Sequence, residues 1–409
     1  MQDPMRALDP AAPPSNDGPA LGLRLAAVQF FLTIGWTLYV IFLPGLLAKA
    51  GVEARWTPWI LLADQLIFAA SDVAFGFAAD RMAGAYRRLS RALLVLTAVA
   101  ATAFLLLPWA AVAGPGALLG LVAVWAVAGS VLRAPTLVLL CRRTREAQRG
   151  RHLAAYATGM AVAGCIAPFL GTALKGLDPR LPFALSSVAL AMAAMALTQL
   201  PDPTGTEPTA RARVPRPASH LLPFLAAGLI AAIGFQVHFS MNAAPRFLAL
   251  APKEQLPWLM PLFWVGFNLA MPLADALVRR WSALPTAIVA TGMAGIGAAF
   301  CAQAADLGSL GVLQVVTGGA WGLAFVAMLE WVADAGSHGR EGGMLGGFFA
   351  ILALATVGRM LAVALHWPAQ PPLKDLVHGL PAVLFATAAV LLLAMAVAGM
   401  RRRERNPDP

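Results

Sequence analysis

Twelve long apolar stretches run along the chain, separated by short polar or basic segments. Each stretch has about 20 residues or more, the length that an α-helix needs to cross a bilayer. None alternates apolar and polar residues as the strands of a membrane β-barrel do. The predicted helices cover residues 22–48, 57–82, 89–112, 115–141, 151–175, 181–200, 220–249, 257–278, 283–304, 308–334, 342–366 and 376–400. The pattern therefore predicts an all-α membrane protein with twelve transmembrane helices.

A polar, proline-rich segment separates the sixth helix from the seventh and divides the chain into two pseudo-symmetric six-helix bundles. Weak internal repetition supports the division, because an aspartate followed by paired arginines ends both the second and the eighth helix. Transporters often consist of such repeats. The predicted parts are a disordered cytoplasmic N-tail (1–21), an N-terminal bundle (22–200), a cytoplasmic linker (201–219), a C-terminal bundle (220–400) and a cytoplasmic C-tail (401–409).

The basic residues are distributed as a membrane topology requires. Charged residues make up 12% of the 409 residues and hydrophobic residues 59%, too little charge for a water-exposed surface of this size. With both termini assigned to the cytoplasm, 21 Lys and Arg residues lie on the inner side and 7 on the outer side. The net charge of +10 is thus a topology signal, and we expect no nucleic-acid partner. We expect a multi-pass protein of the inner (plasma) membrane.

Ionisable side chains occur within the spans of only some helices. Away from their ends, the third, sixth, ninth and twelfth helices have none, which is typical of lipid-facing helices. The ionisable residues well inside the other predicted spans are Asp64, Asp72, Arg133, His238, Glu330 and Arg359. An acidic residue near the middle of a bilayer costs about 2.5–3.5 kcal/mol on insertion scales. Asp64 and Asp72 must therefore be paired, protonated or hydrated, either as static ion pairs or as a proton or cation site.

The loop after the second helix carries the most specific local motif, GFAADRMAGAYRR. Together with the two six-helix halves and the central linker, it resembles the major facilitator superfamily, whose loop motif is of the type Gly-x-x-x-Asp-Arg-x-Gly-Arg-Arg. The matching residues are Gly76, Asp80, Arg81, Gly84, Arg87 and Arg88, with Gly84 one position late; Asp275, Arg279 and Arg280 form a second-half copy without the glycines. Asp72, four residues before Gly76, also resembles the second helix of the glycoside–pentoside–hexuronide cation symporters.

The resemblance implies specific contacts. It implies that Asp80 contacts the start of the eleventh helix when the cytoplasmic side is shut, although ordinary topology-setting charge would also explain this motif. Because the family's second helix adjoins the fourth and the eleventh, we expect an Asp72–Arg133 pair and an outer Asp64–Arg359 gate that closes when the protein faces inward. Glu330 joins this ion-pair set as a candidate. The family's first, fourth, seventh and tenth helices line the cavity, so the candidate substrate contacts are Gln29, Trp36, Gln236, His238, Asn242, Gln314 and Trp321.

The expected function is secondary active transport of a small solute by alternating access, coupled to a proton or sodium. Symport and proton-driven export both remain open, and a non-transporting assembly factor or sensor of the same fold is the alternative. No phosphate-binding Gly-x-x-x-x-Gly-Lys-[Ser/Thr] loop, His-Glu-x-x-His motif or metal-binding cysteine pair occurs in the sequence, so we expect neither an enzyme nor a resident cofactor. The expected partners are the substrate and the lipid bilayer, with the chain as a monomer.

Overall fold

Twelve helices long and apolar enough to cross a membrane make up the computed structural model, which describes residues 18–82, 86–144, 146–199, 220–336, 339–367, 370–371 and 376–405. This confirms the predicted all-α, twelve-helix class. The helices are α1 Pro19–Lys49, α2 Ala54–Arg81, α3 Arg87–Ala113, α4 Pro115–Arg143, α5 Gln148–Ala173, α6 Arg180–Thr198, α7 Leu221–Leu248, α8 Lys253–Trp281, α9 Ala283–Gln303, α10 Leu307–Ala335, α11 Glu341–Ala364 and α12 Leu380–Arg401, with α12 continuing to Arg405. The N-half is α1–α6 and the C-half is α7–α12.

Because the chain crosses an even number of times, α1 begins and α12 ends at the same end of the bundle. We call the end that carries Pro19 and Arg401 the terminal end, and the opposite one the distal end. The charge distribution predicts that the terminal end is cytoplasmic. Most of the predicted tails and linker lie outside the described residues, as does Gly84.

The two halves meet along two seams, α2 against α11 and α5 against α8, with further contacts of α4 with α11 and of α5 with α10. Small residues allow the first seam to close. A Cβ atom on Gly76 would overlap the carbonyl oxygen of Gly342, and one on Gly346 would overlap the carbonyl oxygen of Asp72. Glycines at this spacing let two helix backbones approach closely in a membrane. None of α3, α6, α9 and α12 contributes to these four contacts.

Two helices are interrupted at mid-depth. In α4, a 3₁₀ turn over Ser130–Leu132 precedes Arg133, whose φ of −97° and ψ of −95° are not helical. Pro135 causes this break, because proline lacks an N–H and its ring clashes with the carbonyl four residues earlier. In α7, Gln236–Asn242 form a π-helix shortly before Pro245. Local π-helical turns are often found at functional sites.

Candidate functional site

The contacts that join the halves at the terminal end begin with Asp80, the last acidic residue of α2. Its two carboxylate oxygens accept hydrogen bonds from the backbone N–H groups of Gly342 and Gly343, each at 2.7 Å. These N–H groups belong to the first turn of α11, where N–H groups have no partner in the helix and the helix dipole favours an anion. Asp80 therefore fastens α2 to the start of α11, the contact implied by the family resemblance.

A buried ion pair makes the second connection at this end. Arg149 of α5 donates from Nε to Glu330 Oε1 of α10 at 2.8 Å, and its Nη2 lies 2.7 Å from the same oxygen. Asp334, one turn further along α10, lies 3.6 Å from Nη2. Arg142 of α4 and Glu341 of α11 approach to 4.0 Å. The structure thus places Glu330 between the halves, paired with Arg149 of α5.

The second-half motif copy behaves differently. Asp275 is nearly buried and pairs with Arg279 on its own helix, one turn away. The carboxylate of Asp275 also closely faces Gly150 at the start of α5, since a Cβ atom there would lie 2.9 Å from Oδ1. Arg280 is exposed, as are Arg81, Arg87 and Arg88. Within the motif, Gly76 and Asp80 contact the other half, whereas these arginines project outward.

Asp72 and Arg133 are brought together at mid-depth in the N-half. Arg133 Nη2 lies 3.1 Å from Asp72 Oδ2, with Asp72 wholly buried and the Arg133 side chain 17% exposed. Neither Asp72 oxygen nor this nitrogen forms an aligned hydrogen bond. The guanidinium also lies 4.5 Å from the ring centroid of Phe68 and 6.0 Å from that of Phe349. The pair is therefore a charge contact with unused hydrogen-bonding capacity on both partners.

The interruption of α4 positions this arginine. Because the helix stops before Arg133 and restarts at Ala134, its backbone departs from helical geometry at the residue that pairs with Asp72. Tyr156 of α5 lies close enough to interact electrostatically with both charges, and its buried hydroxyl has no hydrogen-bond partner. The Tyr156 and Phe349 rings are 6.4 Å apart. The cluster of Asp72, Arg133 and Tyr156 thus faces α11 of the C-half.

Asp64 and Arg359 are not brought together. Tyr39 of α1 donates its hydroxyl to Asp64 Oδ2 at 2.6 Å, which satisfies this buried carboxyl within the N-half. Among the described residues, Arg359 has no ion-pair partner, and its buried Nε has no hydrogen-bond acceptor. We predicted the Asp64–Arg359 pair only for a conformation that is closed at the distal end. The pair therefore stays a prediction.

Three predicted cavity residues lie inside the C-half. His238 Nε2 lies 3.1 Å from Gln314 Oε1, and Asn242 Nδ2 donates to the carbonyl of Val377 at 2.7 Å. They line a small pocket with residues of α9 and α10, and every lining residue belongs to the C-half. All three residues make these contacts within the C-half, and their role as substrate contacts stays a prediction. The faces of His238 and Asn242 could not be predicted because the π-helix in α7 changes the rotation of the residues that it contains.

The other predicted cavity residues differ in burial and in their contacts. Gln236 Nε2 donates to Thr356 Oγ1 at 2.8 Å, and exposed Ser240 donates to Gln236 Oε1 at 3.3 Å. Trp321 is buried and stacks on Phe235, with 5.0 Å between ring centroids.

On the N-half, Trp36 is partly exposed and packs edge-on against Phe68 at 5.6 Å. Gln29 is buried, and its Oε1 has no partner. Tyr39, which donates to Asp64, lies three residues after Trp36 on α1.

A profile of the Major Facilitator Superfamily matches residues 25–357. The chain belongs to the Major Facilitator Superfamily. No curated protein matches this superfamily member by sequence. Its family and fold are those of a multi-pass membrane transporter.

Solved structures of other superfamily transporters share the fold. The human organic anion transporter MFSD10 (TETRAN) is 15% identical, with a TM-score of 0.67 over 91% of this chain and 98% of that one. A bacterial homologue of the iron transporter ferroportin, in an outward-facing state, is 13% identical, with a TM-score of 0.72 over 92% and 99%. The E. coli fucose:proton symporter FucP is 12% identical, with a TM-score of 0.66 over 93% and 99%. Identities this low show the fold alone.

Proposed function

We propose that the protein is a secondary active transporter that moves a small solute across the inner membrane by alternating access, without enzymatic activity. The observation that carries this proposal is the position of the inter-half ion pairs. Every such pair among the described residues lies at the terminal end, together with the Asp80 contact to α11. Contacts of this kind can separate without unfolding either half. Because they join the halves at the terminal end, the conformation corresponds to one that is closed at its cytoplasmic end.

The coupling step is assigned to Asp72. A buried carboxylate beside a buried guanidinium is stabilised only while both are charged, and removing one charge strands the other at a cost of about 3–5 kcal/mol. Protonation of Asp72 therefore releases Arg133, whose partly exposed side chain turns toward water or substrate. No group of three or more His, Cys, Asp or Glu side chains suited to a metal ion occurs among the described residues. A single carboxylate paired with a guanidinium favours a proton over sodium.

The distal gate is assigned to Asp64 and Arg359. Both lie toward the distal side of their spans. Within the part of the chain that the structure describes, Arg359 has no counter-charge in this conformation. We infer that Asp64 exchanges Tyr39 for Arg359 when the distal end closes. The likeness of the Asp72 region to the cation symporters favours symport over export.

Proteoliposomes with a pH-sensitive dye inside test the proposal. Addition of a panel of sugars, carboxylates and amines is expected to produce proton movement with at least one solute in the wild type and none with Asp72→Asn. Glu254→Gln is the matched control, because Glu254 is exposed at the distal start of α8. Loss of a cellular phenotype without any solute-driven proton movement would favour the assembly-factor or sensor alternative. Unchanged proton movement in Asp72→Asn would contradict the coupling assignment.

A further inference from the structure

The C-half contains a cation, Arg359, for which the described residues provide no counter-ion. Arg359 carries a positive charge because the guanidinium of arginine is not deprotonated in proteins. A charge of this kind inside a membrane protein costs several kcal/mol unless another group compensates it. Among the described side chains no carboxylate lies within ion-pair distance, and the buried Nε has no acceptor. The carboxyl expected to approach it, that of Asp64, is held by Tyr39 at 2.6 Å.

The neighbourhood of Arg359 contains unburied hydrogen-bonding groups. Thr356 lies three residues before it on α11 and accepts from Gln236 of α7. Ser240 lies one turn beyond Gln236 in the distal direction, as Arg359 does beyond Thr356, so Ser240 and Arg359 have similar depth. Ser240 is exposed although it belongs to a membrane-spanning helix. An arginine and a hydroxyl at one level, with the Gln236 amide one turn away, form a set of groups that binds a carboxylate.

This patch faces the other half. Phe349, Thr356 and Arg359 lie within about a quarter turn of one another on α11, at 100° per residue. Phe349 lies 6.0 Å from the Arg133 guanidinium of the N-half, so this face of α11 points across the interface. Aromatic side chains of both halves flank the region, with Trp36 against Phe68 on one side and partly exposed Phe235 and Phe239 on the other.

We propose that Arg359, with Ser240 and Gln236, binds the acidic group of the transported solute, and that this solute is a small organic carboxylate with an apolar or aromatic body. The inference rests on the transport function proposed above. It makes the substrate anion the counter-charge of Arg359 while the distal end is open, before Asp64 takes its place on closure. The apolar body packs against the aromatic side chains of the two halves.

Thermal unfolding of the purified full chain in a neutral detergent tests the proposal. The probes are benzoate, phenylacetate and indole-3-acetate, each compared with its neutral amide. At least one carboxylate is expected to raise the unfolding temperature saturably. Its amide is expected to require a concentration about ten-fold higher for the same shift. Arg359→Gln is expected to weaken the carboxylate effect about ten-fold or more, with Arg359→Lys intermediate. Arg246→Gln is the matched control: Arg246 is a partly buried α7 arginine in the C-half pocket.

The proposal is overturned if no carboxylate shifts the unfolding temperature up to millimolar concentration, if the amides act equally, or if Arg359→Gln retains the effect. Displacement of the probes by phosphatidylglycerol but not by other carboxylates would assign the site to a lipid headgroup and would also overturn it. Carboxylate binding without solute-driven proton movement would contradict the transport proposal and leave the carboxylate site at Arg359 standing. Proton movement driven only by neutral or cationic solutes would support the transport proposal and overturn the carboxylate site.

Discussion

At the residue scale, the protein depends on buried charges whose partners differ in kind. Asp72 has an arginine, Asp64 has a tyrosine hydroxyl, and Arg359 has neither among the described residues. The Asp64 carboxyl can form a hydrogen bond with Tyr39 in either protonation state, whereas the Asp72 carboxylate attracts Arg133 only while it is charged. Asp72 is therefore the group whose charge the structure most strongly constrains.

Arg133→Gln tests that constraint. The substitution is expected to destabilise the protein by about 3–5 kcal/mol because the Asp72 carboxylate loses its partner, with a smaller loss at low pH, where Asp72 protonates. The double variant with Asp72→Asn is expected to recover most of that stability. Denaturant unfolding in lipid nanodiscs measures both. Arg55→Gln is the control, because the Arg55–Glu53 pair is largely exposed, and it is expected to cost less than about 1 kcal/mol. Equal losses at the two sites would contradict the account.

Tyr39→Phe removes the hydrogen bond to Asp64 without changing ring packing. The expected loss is about 1–3 kcal/mol in stability, because a buried acceptor is left unsatisfied. The same unfolding measurement detects it, with Tyr156→Phe as the matched control, since the Tyr156 hydroxyl has no partner to lose. A larger effect at Tyr156 than at Tyr39 would be evidence against the assigned Asp64 contact.

At the element scale, helix positions were predictable and helix faces only partly so. Length and hydropathy suffice to locate twelve spans, and the charge bias predicts their orientation. The interruptions in α4 and α7 follow from Pro135 and Pro245, which are visible in the sequence, but how a backbone accommodates a proline depends on its neighbours. In α7 that accommodation is a π-helix, which sets the faces of His238 and Asn242. The Asp72–Arg133 pair, in contrast, was expected because the family's second and fourth helices adjoin.

Gly76→Ala tests the α2–α11 seam. The added Cβ overlaps the Gly342 carbonyl oxygen, so the terminal end is expected to close less completely and the unfolding temperature to fall. Gly120→Ala is the control, because Gly120 is exposed on α4 and its Cβ would meet no atom within 4 Å. Disulfide formation between cysteines placed at the terminal ends of α2 and α11 reports the closure. Equal disulfide yields in the two variants would argue against a tight seam.

At the scale of the whole molecule, two six-helix halves are joined by releasable polar contacts at one end. The sequence predicted the halves, the ends and several of the charges, but not which charges meet across the interface. Glu330 contacts Arg149 because α5 and α10 approach each other at the terminal end, whereas Asp64 contacts Tyr39 within the N-half.

The proposed distal gate yields a prediction at this scale. Asp64→Arg and Arg359→Asp are each expected to abolish solute-driven proton movement, and the double exchange to restore part of it, because the pair regains opposite charges. Proteoliposome assays measure all three variants. Arg246→Asp combined with Asp64→Arg is the control and is expected to give no rescue, since Arg246 lies in the C-half pocket. The absence of rescue in the first double variant would contradict the gate.

The central claim is that the charge of Asp72 decides which end of the protein is open. Spin labels on exposed positions 88 and 281 report the terminal end, and labels on exposed positions 177 and 376 report the distal end, after replacement of Cys141, Cys165 and Cys301. Distances are measured by double electron–electron resonance in nanodiscs. Relative to wild type, Asp72→Asn is expected to show a longer distance between the terminal labels and a shorter one between the distal labels. Identical distance distributions in the two proteins would contradict the account.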